Sequence, residues 1–296
     1  MTPLVSVIVI TYNHVKYIQQ CLDSILMQKT SFDFEIILGE DDSKDGTREI
    51  CIDYAKRFPD KIKLFLRSRK DVIMIDGSPT GRYNFIENFR ASQGKYIAVC
   101  EGDDFWTDSY KLQKQVDVLE KNPSLSGCFH NSEERYWNDY TKASSLYLSL
   151  KEGGEVSISD FTKFNMVPTA SVVFRTPVPE ELYSPEFLKL PMGDWPLHLL
   201  NARKGNYYYL PQVMSVRNLN PSSTWGMQDQ KRNVEKVCKA LSLLVQFGWF
   251  KVEINSLLNQ SRLKLENSIA EKEKDSKMLG YKKALIHKMI GVLNKL

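Results

Sequence analysis

Tyr96-Ile97-Ala98-Val99-Cys100-Glu101-Gly102-Asp103-Asp104-Phe105-Trp106 is the stretch that decides how this chain is read. Five residues with strand preference run into three carboxylates in four positions, with one glycine among them and two aromatics behind. The pattern predicts a strand that ends in a cluster of acids. In an open α/β sheet, ligands sit beyond the carboxyl ends of the strands, so such a cluster faces a binding crevice. Like charges this close repel one another, and a divalent cation relieves the repulsion. Gly102 lets the backbone turn so that Glu101 and Asp103 approach one point, with Asp104 as a supporting group or helix cap. Hard oxygen ligands suit magnesium or manganese, which complete their shells with phosphate oxygens. Taken by itself, the cluster is equally well a solvated acidic turn capping a helix that starts near Asp108.

Upstream, Val5-Ser6-Val7-Ile8-Val9-Ile10 is a nearly continuous β-branched run, the pattern of a parallel strand covered on both faces. It ends at Thr11-Tyr12-Asn13. Ile18, Leu22, Ile25 and Leu26 then recur at helical spacing, with Asn13 as a candidate cap. Glu35-Ile36-Ile37-Leu38 repeats the plan, stops at Glu40-Asp41-Asp42, and precedes a helix with Ile50, Tyr54, Ala55 and Phe58 on its apolar face. Asp41 and Asp42 read as caps of that helix. A third strand, Ile62 to Leu66, leads through a long loop with Gly77, Pro79 and Gly81 to a helix carrying Phe85, Ile86 and Phe89. Three strand–helix alternations followed by the Tyr96 strand predict a parallel, right-handed, doubly wound sheet. Its carboxyl edge carries Thr11, Asp41 and Asp103. These strands carry neither a GxGxxG run nor a GxxxxGK[ST] loop, so dinucleotide and P-loop readings lose their main support.

Downstream of Trp106, a helix with Leu112, Val116 and Leu119 stops near Pro123, and Leu125 to His130 reads as a strand. Periodicity weakens from about Arg135 to Val156, as in a surface excursion, and Ala170 to Phe174 is a short strand. Met192-Gly193-Asp194-Trp195-Pro196-Leu197 opens a helix that ends by Gly205, with Asp194 in the N-cap position. Tyr207 to Leu210 and Val213 to Val216 read as two short strands, and residues 220–226 are rich in turn formers. The pattern gives an α/β domain over residues 1–226 and a helical region over 227–296. In residues 277–296 five lysines and no acid accompany an apolar face of Tyr281, Leu285, Met289, Val292 and Leu296. Such a helix lies on an anionic membrane or docks on protein.

With 40 basic and 36 acidic residues the formal charge of +4 is too balanced for a general nucleic-acid binder, so any electrostatic partner is local. Cys21, Cys51, Cys100, Cys128 and Cys238 are scattered, odd in number and without a CxxC pair. They fit a reducing compartment and oppose both a zinc site and a disulfide framework. No basic segment precedes the first strand-like run and no apolar span approaches ~20 residues. The expectation is a cytoplasmic protein, with residues 277–296 as a peripheral contact on the inner face of the membrane.

Four ordered motifs, VSVIVITYN (5–13), EDDSKDGT (40–47), GKYIAVCEGDDFW (94–106) and MGDWPL (192–197), resemble those of family-2 glycosyltransferases of the GT-A fold. The likeness covers about residues 4 to 226. It implies a doubly wound, mostly parallel α/β sheet with a nucleotide-sugar half (1–106), an acceptor half (107–226) and a C-terminal helical appendage. The implied chemistry is an inverting, metal-dependent transfer of a sugar from a nucleoside-diphosphate donor, UDP-linked by preference, in polysaccharide biosynthesis. The acceptor is a hydroxyl of a glycan or lipid-linked molecule. By resemblance, Glu101-Gly102-Asp103 stands in place of the DxD signature that holds manganese or magnesium, with Asp104 beside it. Thr11, Tyr12, Asn13, Glu40 and Asp41, joined by Arg82, line the donor pocket, and Asp194 is the catalytic base. Trp106 and Trp195 read as acceptor-side walls or as buried core, the commoner case. Glu101 departs from the first DxD position, which leaves Asp103 as the direct ligand. Asn220 stands where many relatives carry a His, and an amide oxygen suits manganese less well than imidazole. A nucleotidyltransferase is opposed by the missing glycine-rich basic loop, and a non-catalytic sugar-nucleotide or glycan-binding module by Asp103 and Asp194. His14 and His130 read as structural.

Overall fold

Val5, Val7, Ile8 and Val9 are fully buried because helices cover both faces of their strand, as the unbroken β-branched run requires. The computed structural model describes residues 2–136, 143–219 and 230–267. The chain forms two compact units, Met1–Met227 and Gln228–Leu296. The first runs β1 (Val5–Thr11), α1 (Ile18–Leu26), β2 (Phe34–Glu40), α2 (Thr47–Arg57), β3 (Ile62–Leu66), a hairpin of β4 (Ile73–Ile75) and β5 (Ser78–Thr80), α3 (Arg82–Ala91), β6 (Tyr96–Val99) and a short β7 (Phe105–Trp106). It continues through α4 (Lys111–Lys121), β8 (Gly127–Tyr136), β9 (Ser145–Leu146), β10 (Gly154–Val156), α5 (Ile158–Phe161), β11 (Val173–Arg175), α6 (Asp194–Asn201) and β12 (Tyr207–Leu219).

One sheet holds the order β10-β12-β8-β11-β6-β1-β2-β3, with β7 on β12 and β9 on β8. Strands β3, β2, β1 and β6 are parallel, the half that strand–helix alternation dictates. β11 enters between β6 and β8 antiparallel to both, so the sheet is mixed rather than uniformly parallel. The main core packs Val5, Val7, Val9, Ile36, Leu38 and Ala98 against Ile18, Leu22 and Ile25 of α1 and Leu112, Val116 and Leu119 of α4. Each fully buried aliphatic side chain of this kind contributes about 1.5–3 kcal/mol. All five cysteines are free and buried.

Several local expectations change. The two short strands after Tyr207 are one 13-residue strand, whose pairing with β8 shifts register between Leu210 and Val213 and again before Ser215. Pro211, which has no N–H to donate, lies at the first shift. The loop after β3 contains the β4–β5 hairpin. Asn13 does not cap α1, which begins five residues later at Ile18; instead its φ of 54° lets its side chain accept from Lys44 N at 3.1 Å. Asp45, not Asp41 or Asp42, accepts from Thr47 N at the start of α2. Near the start of α4, Asp108 accepts from Tyr110 N, so that turn does not draw on the acids at 101–104.

The second unit contains α7 (Gln230–Gln246), where Cys238, Leu241 and Leu244 recur on a buried face, and a helix over 252–267 with Leu258 buried. Residues 277–296 and Asn220 lie outside the described residues. Among the described residues, no helix is long and apolar enough to cross a membrane.

Candidate active site

The ends of β1, β2 and β6 lie side by side, since Thr11 pairs with Glu40 and Ile8 with Val99. Beyond β6 the chain returns close to β1: Gly102 N donates to Ile10 O at 2.9 Å, and a Cβ on Gly102 would stand 2.7 Å from Thr11 Oγ1. Only glycine fits that approach. The turn draws Glu101, Asp103 and Asp104 together, each offering a carboxylate oxygen within 4.8 Å of the others. β12 fixes the turn from the far side: Asn218 N donates to Asp104 Oδ1 at 3.0 Å, and Asn218 Nδ2 donates to Asp103 O at 2.5 Å.

Burial pushes Glu101 up to about 8, with the charges of Asp103 and Asp194 adding to the effect and Arg217 opposing it. Burial also raises Asp104 well above the usual carboxylate range, again with Asp103 and Glu101 contributing. Three acids that cannot all ionise together without a counter-charge fit a divalent cation. The buried Asn218 Oδ1 and Thr11 Oγ1, neither with a hydrogen-bond partner, stand beside them as further hard oxygens. His14, read from sequence as structural, points Nε2 toward Asp103 Oδ2 at 3.9 Å.

A second group forms at the end of β2. Tyr12 is 40% exposed, and the Arg69 guanidinium lies over its ring at 4.2 Å. Arg69 Nη1 also meets Asp41 Oδ2 at 2.5 Å. Burial raises Asp41 above its ordinary value, against the pull of Arg69. An aromatic face, a planar cation and a carboxylate are the groups that stack on a base and hydrogen-bond a ribose. Sequence reasoning missed Arg69, which lies three residues past β3 in a stretch read as irregular.

Asp194 opens α6 as its first residue; Gly193 takes the capping position and no side chain caps the helix. Its Oδ2 accepts from Asn165 Nδ2 at 2.8 Å. Its charge contributes to raising Glu101, so the acid cluster lies within reach of its field.

Other expected site residues are placed elsewhere. Glu40 is fully buried and accepts from Ser43 N at 2.7 Å and from Arg48, which makes it a brace of the 40–47 loop. Asn13 clasps the same loop, its N–H donating to Ser43 Oγ at 2.9 Å. Arg82 donates to Phe187 O at 2.8 Å and Leu190 O at 3.1 Å. It lies beneath Gly193, where a Cβ would come within 3.2 Å of the guanidinium carbon, and burial lowers it to about 10. Trp106 and Trp195 are 1% and 2% exposed and spend their indole N–H groups on Ala170 O and Phe161 O. Both are core, not acceptor-side walls.

An acid cluster and an aromatic–guanidinium–carboxylate group at the carboxyl edge of an α/β sheet are the layout of a nucleotide-dependent transferase. The chain belongs to glycosyl transferase family 2, whose model matches residues 6–180. It is 32% identical over 224 residues to an uncharacterized protein of Mycobacterium tuberculosis, covering 74% of this chain and 60% of that one. It thus spans less than two thirds of that relative's length. It is 33% identical over 120 residues to the putative teichuronic acid biosynthesis glycosyltransferase TuaG of Bacillus subtilis, covering 40% of this chain and 42% of TuaG. Two solved structures show the GT-A fold: S. aureus TarS 1-349 in complex with UDP (TM-score 0.54, 16% identity, 87% of this chain and 70% of that one) and a mannosyltransferase from Pyrobaculum calidifontis in complex with GDP-Man and Mn2+ (TM-score 0.59, 17% identity, 96% and 81%).

Proposed function

We propose that this chain is an inverting, metal-dependent glycosyltransferase that moves a sugar from a UDP-linked donor to a hydroxyl of a glycan or lipid-linked acceptor. The observation that carries the proposal is the cluster of Glu101, Asp103 and Asp104 carboxylates, which feels the charge of Asp194, together with the Tyr12–Arg69–Asp41 group at the end of β2. The donor half, residues 1–106, takes the base and ribose on Tyr12, Arg69 and Asp41, with Thr11 at the floor. Asp103, helped by Glu101, holds manganese or magnesium, and Asp104 and His14 keep its carboxylate in place. When bound, the ion supplies the positive charge that stabilises the departing diphosphate. Within the acceptor half, residues 107–226, Asp194 takes the proton of the attacking hydroxyl, and in-line attack inverts the anomeric centre. The complexes of the structural neighbours with UDP and with GDP-Man and Mn2+ support this class of donor. Residues 277–296 are proposed as a peripheral contact with the inner face of the cell membrane.

Calorimetry with UDP and GDP, with and without manganese, tests the donor site in wild type and Asp103→Ala. Manganese should strengthen UDP binding only in the wild type. Release of UDP from UDP-GlcNAc tests the base: Asp194→Asn should bind UDP normally yet turn over ~10²- to 10⁴-fold more slowly. Equal strengthening by manganese in wild type and Asp103→Ala removes the metal assignment, and wild-type turnover in Asp194→Asn removes the base.

A further inference from the structure

Asp194 has one bonded oxygen and one open one. Oδ2 accepts from Asn165 Nδ2 at 2.8 Å, and among the described residues Oδ1 takes no hydrogen bond. Asn165 cannot turn its amide the other way without loss, because its Oδ1 accepts from Val167 N at 3.2 Å. Its backbone is tied as well: Tyr147 Oη donates to Asn165 O at 3.2 Å. Burial raises Tyr147 to about 12, so the phenol stays neutral and keeps that proton. The segment between α5 and β11 therefore presents one N–H donor, in fixed orientation, to one oxygen of the carboxylate.

We infer that Asn165 is the positioning residue of the proposed base: it fixes Asp194 by Oδ2 and leaves Oδ1 to receive the proton of the acceptor hydroxyl. This rests on the assignment of Asp194 as base. A neutral donor does this better than a cation would. It orients the carboxylate through one N–H and adds no full charge of its own. The other titratable or charged groups around the carboxylate are Glu101 of the acid cluster, Arg82 beneath Gly193, His198 one turn along α6, and Tyr147. None of them hydrogen-bonds the Asn165 side chain, and Tyr147 meets residue 165 at its main-chain oxygen.

The test is a double-mutant cycle in the full chain, read as UDP release from UDP-GlcNAc with UDP affinity followed by calorimetry. Asn165→Leu, which keeps the volume but removes the donor, should slow release about 10- to 100-fold with UDP affinity unchanged, the usual cost of losing an outer orienting partner. In the Asp194→Asn background the same change should cost nothing further, because residues that act as one unit are not additive. Asn165→Ala serves if the leucine variant does not fold. Wild-type release in both Asn165 variants overturns the inference. If Asp194→Asn turns over normally, the base assignment fails and takes this inference with it. Slow turnover in Asp194→Asn with an undiminished further loss from the Asn165 change sinks the inference alone.

Discussion

Removing metal should make the protein sensitive to pH in a direction opposite to ordinary acid denaturation. Glu101 titrates near 4.5 in an unfolded chain and is pushed up to about 8 in the fold. A native state that binds this proton more tightly than the unfolded chain is most stable below 4.5, and loses the advantage as pH rises toward 8. At about 1.36 kcal/mol for each pH unit the ceiling is about 5 kcal/mol, and relaxation and water entry reduce it to about 2 kcal/mol. For a unit of this size that is a fall in Tm of roughly 4–8 °C between pH 5 and pH 8. Manganese should reverse the trend, because it takes the place of the proton and binds best to the ionised cluster. At a hundred times Kd it adds about 2.7 kcal/mol, and the addition should be largest at pH 8. Differential scanning fluorimetry across pH 5–8 in EDTA and in manganese, on wild type and Asp103→Asn, reads this without any donor or acceptor. Asp103→Asn removes the strongest neighbouring charge acting on Glu101, so its slope in EDTA should be shallower. Parallel wild-type curves with and without manganese would refute the coupling of proton and metal at this cluster.

Two more perturbations reach other parts of the molecule. Arg69→Ala should weaken UDP binding by about 3- to 30-fold, in line with a cation–π contact at a partly desolvated site, while leaving the response to manganese intact; calorimetry that shows unchanged UDP affinity would take Arg69 out of the donor pocket. Truncation at residue 276 should abolish co-sedimentation with anionic vesicles, and added salt should weaken what the full chain shows; equal retention of the two proteins points to docking on protein instead.

The carboxyl edge of the parallel half was legible in the sequence because each of its strands announces itself locally. The β-branched run of β1, the acids that end β2 and the acid turn after β6 are consecutive residues, and parallel pairing lines their ends up. Asp194 was legible from Gly193 and Trp195-Pro196 around it, although its place in α6 is first helical residue rather than cap. The partners were not legible. Arg69 reaches Asp41 across 28 residues, His14 reaches Asp103, and Asn165 reaches Asp194 across 29, and no local periodicity records such meetings. Residue type also left the roles of Arg82, Trp106 and Trp195 open. Whether an indole N–H ends on a core carbonyl or faces a cleft depends on tertiary packing. The direction of β11 escaped for a similar reason, since three residues of strand carry no arrow.

Arg82 joins two stretches of chain a hundred residues apart, and it does so through carbonyls: its guanidinium stands on Phe187 O and Leu190 O, under the glycine that precedes Asp194. The same guanidinium lies over the Phe187 ring at 5.1 Å, and Phe187 and Leu190 are fully buried, so carbonyls and side chains are held together at this dock. The family match stops at residue 180, short of this stretch. From 187 to 193 only Lys189 is exposed, so the seam that seats the start of α6 is a backbone trace with its buried side chains and Arg82 beneath it, and Lys189 is the one letter on it that can be rewritten without loosening the joint.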